Sequence, residues 1–313
     1  MLNNIKSEKD WEKDTYTSVS QYNDWFQNVA PRVYESNFNV ITNRVKELVL
    51  KSNKFRTIDA NLIKENPADI EILRMCTSPP LARDRLTGLS GLSSKASSFV
   101  DKLEKGKIQK KNADENIEAI LKTISAMLDK NLFPWVYESR EPYDSELDSA
   151  SEIVADRLIA SVSNTLIKNA QEQRQLHKVS QYLEGKNYVR FTGNDFEQMP
   201  VGTYSIILNV PGKKTNGDSV NIPIDVVIKS FKQDEKDIPL LMECKSAGDF
   251  TNTNKRRKEE AEKYSNLVRA YGEDINFLLF LCGYFGKTYL KYEASEGIDW
   301  VWEHRITDLD KIL

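Results

Sequence analysis

Three ionisable residues stand inside two apolar runs of this 313-residue chain. Asp225 lies in Ile222-Pro223-Ile224-Asp225-Val226-Val227-Ile228, and Glu243 and Lys245 lie in Leu240-Leu241-Met242-Glu243-Cys244-Lys245. Both runs are short, apolar and rich in β-formers, so both read as strands. A charge in such a run is costly unless it meets an opposite charge or a cation. Alternation along a strand puts Glu243 and Lys245 on one face and Met242 and Cys244 on the other, toward a core. If the two strands pair, Asp225 and Glu243 can share a hard, oxygen-preferring cation such as Mg²⁺, with the carbonyl of Cys244 as a further ligand. Lys245 would then sit over a phosphoryl group. There it can orient or help deprotonate an attacking water and offset charge developing on the phosphate, with the metal as Lewis acid. The same three charges would also suit an ordinary ion pair at a sheet edge, so the surrounding elements decide between the readings.

Those elements come in a definite order. Ser151 to Glu184 has neither proline nor glycine and ends at Gly185, which predicts one long helix. Strand-like runs follow at Tyr188 to Phe191, Tyr204 to Val210, Ile222 to Ile228 and Pro239 to Lys245, then a helix to about Tyr271 and a buried strand at Asn276 to Cys282. The loop Gly212 to Asp218 joins two of the strands as a hairpin and carries Lys213 and Lys214. Upstream, residues to about 150 read as helical. The helices there are Ser18 to Asn28 and Arg32 to Lys51 separated by Pro31, then Ala68 to Met75 opened by Asn66-Pro67, then Asn112 to Lys130. In the last of these, Ile117, Ile120, Leu121, Ile124 and Leu128 form a core stripe. Phe133 to Tyr143 breaks the pattern and joins two halves, a helical region over 1–145 and a sheet-bearing domain over 146–313.

Two basic segments suit nucleic acid. Lys255, Arg256, Arg257 and Lys258 open the helix after Lys245, where cations oppose the helix dipole. A nearby anion such as a DNA phosphate resolves that conflict, although Glu259, Glu260 and Glu262 can also pair with this run as a solvated face. Thr77 to Val100 reads as a short helix, a glycine turn and a second helix. As a helix-turn-helix it would offer Ser94, Lys95, Ser97 and Ser98 to the major groove and Arg83 and Arg85 to phosphate or guanine; as a plain helical hairpin, Ser93 and Ser94 would be caps.

Composition removes several classes. His177 and His304 are the only histidines and Cys76, Cys244 and Cys282 the only cysteines. A structural zinc site, a histidine triad or a disulfide framework is thereby disfavoured. No apolar run approaches the ~18 residues of a membrane span, and Met1 to Asp10 lacks the apolar segment of a signal peptide, so a cytoplasmic protein with no membrane partner is expected. The net charge of −3 argues mildly against nucleic acid as a whole-surface property but leaves room for a basic cleft.

The order helix, strands bearing Asp225 and then Glu243 and Lys245, helix, strand resembles the PD-(D/E)XK nuclease core, an αβββαβ arrangement in an α/β (α+β, mixed-sheet) fold with a helical N-terminal region. Finer likenesses lie at Ser78 to Leu86, Ile153 to Leu158, Asn169 to Leu176, Glu243 to Asn252 and Gly297 to Arg305. Together they are similar to the XamI-type family of type II restriction endonucleases, from about Met75 onward. The resemblance implies Mg²⁺-dependent, sequence-specific cleavage of double-stranded DNA with 5′-phosphate and 3′-hydroxyl ends. It puts Asp225, Glu243 and Lys245 at the family's motif positions. A glutamate of the first core helix often joins them, here Glu152 or Glu172, the latter nearer the end that meets the sheet. A homodimer matching a palindromic site and a cognate DNA methyltransferase as genetic partner are implied as well. The rivals are another nuclease on the same core (repair, resolvase or modification-dependent) and a nonenzymatic DNA-binding protein; retention of all three charged residues speaks against the latter.

Overall fold

A computed structural model describes residues 8–92, 97–251, 253–273 and 275–313. Two compact units divide the chain: Arg32–Ile167, and the segment through Pro31 together with Lys168–Leu313. The division expected at 145/146 falls at the start of a helix, whereas these units part at 31/32 and 167/168. That helix, α8 (Asp144–Glu184), and the first, α1 (Glu8–Lys51), each contribute to both units.

The unit Arg32–Ile167 is helical. Besides parts of α1 and α8 it holds α2 (Ala60–Glu65), α3 (Ile70–Met75), α4 (Arg83–Leu89), α5 (Ser97–Glu104), α6 (Ala113–Ala126) and α7 (Pro134–Tyr137). Ile117, Ile120, Leu121 and Ile124 of α6 are buried with Val45, Leu73, Phe99, Trp135 and Val154, as the predicted stripe requires. Asp59 caps α2, and Asn66 instead donates to Asp69 Oδ1 at 2.7 Å, so the expected helix at 68 begins as a 3₁₀ turn, Pro67–Asp69. Pro31 does not split α1. The missing amide costs one helical bond, and the helix is anchored on either side by Trp11, Ser18 and Tyr22 before it and Ile41, Val45 and Leu48 after it.

In the other unit a six-stranded mixed sheet carries β1 (Val189–Arg190), β2 (Thr203–Lys213), β3 (Ser219–Lys229), β4 (Leu240–Ala247), β5 (Phe277–Gly283) and β6 (Asp299–Trp302), paired in that order. The β2–β3 and β3–β4 pairs are antiparallel and the rest parallel. With α8 before it and α9 (Thr253–Tyr271) between β4 and β5, the expected αβββαβ order is present, extended by β1 and β6 at the edges and by α10 (Lys287–Ser295). The start of α1 belongs here because its aromatics are buried here. Trp11 meets Trp300 edge-on at 5.5 Å, and Tyr22 OH accepts from Gln171 Nε2 at 2.6 Å.

The sheet is buried on both faces. Leu176, Val179 and Leu183 of α8 share one core with Met242 and Cys244, whereas Leu241 of β4 belongs to the core that holds Leu267 of α9 and Leu290 of α10. The alternation read for β4 is thus the observed one. In the β2–β3 hairpin the alternation breaks once. Val226 and Ile228 face the α8 side while Ile222 and Ile224 face the other, and the change falls at Asp225. Across from it, Ile207 adopts a left-handed backbone (φ 55°) and is the one position missing from an otherwise continuous register of pairs. No helix among the described residues is long and apolar enough to cross a membrane.

Candidate active site

β3 and β4 pair at only three positions, Val226 with Met242, Val227 with Leu241 and Ile228 with Leu240. The next step along that register brings Asp225 opposite Glu243. There the ladder gives way: the amide of Cys244 donates not to a backbone carbonyl but to Asp225 Oδ2, at 2.8 Å. This bond orients the aspartate and leaves it at the fork where the two strands part.

Glu243 is fully buried. Its Oε2 accepts from Lys245 Nζ at 2.9 Å and from Lys263 Nζ at 2.8 Å, while its Oε1, equally buried, has no hydrogen-bond partner. Lys245 also meets Glu260 Oε1 at 3.3 Å, and Lys263 donates to the carbonyl of Pro223 at 3.3 Å. Gln175 of α8 donates to the carbonyls of Lys245 (3.4 Å) and Phe280 (3.3 Å) and accepts from Ser246 Oγ (3.1 Å), pinning the end of β4. These groups line a cleft of about 340 Å³, together with Lys168, Gln171 and Glu172 of α8, Ile207 of β2 and Glu259 of α9.

Burial sets the protonation chemistry. Desolvation, reinforced by the charge of Glu243, pushes the Asp225 carboxyl up to about 6, and burial likewise raises Glu260. For Lys245 burial acts to release the proton, but the carboxylates of Glu243 and Glu260 outweigh it and hold the ammonium above its ordinary range. Burial raises the Cys244 thiol well above its usual value, so this cysteine is no nucleophile.

The donor set fits a hard divalent cation. Several acidic residues line the cleft, but among the described residues no three of His, Cys, Asp and Glu are arranged to hold a metal ion together, so Asp225 and Glu243 are the carboxylates that could ligate one. That count suits Mg²⁺, which takes one or two carboxylates and keeps its other positions for water and phosphate oxygen. The partnerless, buried Oε1 of Glu243 is the atom such an ion would satisfy.

Of the residues singled out in the sequence, Asp225, Glu243, Cys244, Lys245 and Glu172 come together in this cleft. Glu152 does not line it; that residue is exposed on the part of α8 belonging to the helical unit. Arg83 and Arg85 are exposed on α4, and Arg83 already engages Asp101 (2.7 Å) and Glu104 (3.3 Å). Ser94 and Lys95 lie outside the described residues, as do the side chains of Ser97, Ser98, Lys255 and Arg256. Lys258 is exposed, whereas the Arg257 guanidinium packs over the ring of Tyr292 at 3.9 Å, an aromatic partner where a phosphate was expected. Sequence reasoning missed Glu260 and Lys263. A signal existed: Glu260 falls on one helical stripe with Tyr264, Leu267 and Tyr271, so a carboxylate occupies a core position of α9.

Comparison with known proteins points the same way. The family model described as XamI restriction endonuclease matches residues 53–302. The type II restriction enzyme SalI of Streptomyces albus G is 40% identical over 320 residues, covering 99% of this chain and 99% of that enzyme. No solved structure matches.

Proposed function

The chain belongs to the XamI restriction endonuclease family and is a site-specific deoxyribonuclease; from that premise we propose that it cuts double-stranded DNA at a short specific sequence with Mg²⁺ as cofactor, leaving 5′-phosphate and 3′-hydroxyl ends. The observation that carries the reading is the convergence of Asp225, Glu243 and Lys245 around a buried carboxylate oxygen that has no partner. Asp225, Glu243 and the carbonyl of Cys244 would hold the ion. When bound, Mg²⁺ supplies a Lewis acid for the phosphoryl oxygen and a lowered pKa for a coordinated water.

The chain's own residues do the rest. With its ammonium held above its ordinary range by Glu243 and Glu260, Lys245 is placed to donate to the phosphate or to the attacking water and to offset developing negative charge. Glu260 and Glu243 fix that ammonium from two sides, which restricts where it can aim. Glu172, on the α8 wall of the cleft, is the helix glutamate we assign to the site. Lys168 from α8 and Lys258 from α9 offer charge to flanking phosphates. The helical region, with Arg85 exposed on α4, is assigned to sequence reading. A homodimer on a palindromic site, a cytoplasmic location with the DNA and a cognate methyltransferase complete the proposal. Incubating purified protein with several plasmids and Mg²⁺ tests it: discrete, reproducible fragments are expected. Persistent absence of fragments, or full cutting by Asp225→Ala, would end the reading.

A further inference from the structure

Lys263 has no counterpart in the motif read from the sequence, yet it touches the same oxygen as Lys245. Two ammonium groups therefore converge on Glu243 Oε2, at 2.9 and 2.8 Å. One carboxylate oxygen does not need two full positive charges, and like charges this close repel. The two are not held equally. Lys245 has a second carboxylate, Glu260, at 3.3 Å; Lys263 has a backbone carbonyl, Pro223, at 3.3 Å, and is the more exposed of the pair. Lys263 stands on α9 at the wall of the cleft, ten residues or fewer from the basic start of that helix, Lys255 to Lys258. It is thus the cation that an incoming phosphate can draw away from Glu243.

We infer that Lys263 is a positioning residue that makes metal acquisition depend on DNA: in the DNA-free protein its ammonium supplies the positive charge that Glu243 would otherwise take from a divalent ion, and a DNA phosphate removes that competition. This rests on the assignment of Asp225 and Glu243 as the metal-holding pair. Coupling of this kind is reciprocal, so DNA raises metal affinity by the same factor by which metal raises DNA affinity. Without the Lys263 charge, the metal site would be strong at all times and DNA would add less.

Calorimetric titration with Ca²⁺ supplies the test, using the full chain with and without a duplex carrying its own cut site as mapped from plasmid digests. Lys263→Met is expected to tighten Ca²⁺ binding by the DNA-free protein about tenfold and to shrink the gain caused by DNA by a similar factor. Lys263→Arg, which keeps the charge, is expected to behave as wild type and controls for damage to the fold. Unchanged or weaker Ca²⁺ binding by DNA-free Lys263→Met, or an undiminished gain with DNA, overturns the inference. Asp225→Asn separates the two levels. If it removes Ca²⁺ binding while Lys263→Met changes nothing, only the role of Lys263 fails; if it binds Ca²⁺ like wild type, or if wild type binds none even with DNA, the metal-site assignment fails and this inference with it.

Discussion

Asp225→Asn should stabilise the metal-free protein while abolishing cleavage. Burial raises the Asp225 carboxyl from an ordinary value of 3.8 to about 6. The sign follows from linkage: the folded state binds this proton more tightly than the unfolded one, so stability is greatest below the unfolded value and is lost as pH rises through about 6. At about 1.4 kcal/mol per pH unit, the ionised group costs roughly 3 kcal/mol at pH 8 and about 1 kcal/mol at pH 4.5. Asparagine has the same shape, and its carbonyl can still accept from the Cys244 amide, so the substitution removes the charge without opening a cavity. A gain of that size corresponds to a rise of roughly 6 °C or more in melting temperature at pH 8 for a unit of this size. The assay is thermal unfolding in EDTA at the two pH values, beside plasmid cleavage in Mg²⁺. If the variant melts at or below wild type at pH 8, or gains equally at both pH values, burial is not what holds the Asp225 proton and the reasoning fails. A residue that weakens its fold but is retained at a reacting centre is the usual trade between stability and function.

The neighbouring carboxylate should behave oppositely. Glu243→Gln strips the anion that Lys245 and Lys263 share and leaves two ammonium groups facing each other, so a loss of roughly 3 kcal/mol is expected by chemical denaturation in EDTA; stability equal to wild type would contradict the shared contact. Of the two α8 glutamates, Glu172→Ala should slow cleavage at least about tenfold while Glu152→Ala stays near wild type, because Glu172 alone lines the cleft. Single-turnover rates on one plasmid discriminate them, and the reverse ranking would relocate the site along the helix.

How much of this could be read in the sequence depended on contrast. Asp225, Glu243 and Lys245 were legible because charges are conspicuous in apolar strands, and the period of two then fixed which faced the cleft and which faced the core. Glu260 and Lys263 were not, because charges are ordinary on a helix and only the packing of α9 against the sheet buries Glu260 and brings the partly exposed Lys263 onto Glu243. Arg257 illustrates a contact that spacing does not show: its guanidinium packs over Tyr292, thirty-five positions away. The division into compact units was hidden for a similar reason. The break at Phe133 to Tyr143 is real locally, but α1 and α8 carry buried residues of both cores, and no local signal records where along a long helix the partner changes.

Ile207 holds a left-handed backbone that a β-branched residue adopts at a cost of about 1–3 kcal/mol. It stands across the sheet from Asp225, at the point where both strands of the hairpin exchange faces. The direction in which the aspartate presents its carboxylate is therefore inherited from the neighbouring strand as much as from its own. Across relatives that keep the aspartate, glycine or asparagine is the natural replacement at position 207. A change there would act on the site through the stance of the aspartate as well as through the cleft wall that Ile207 forms.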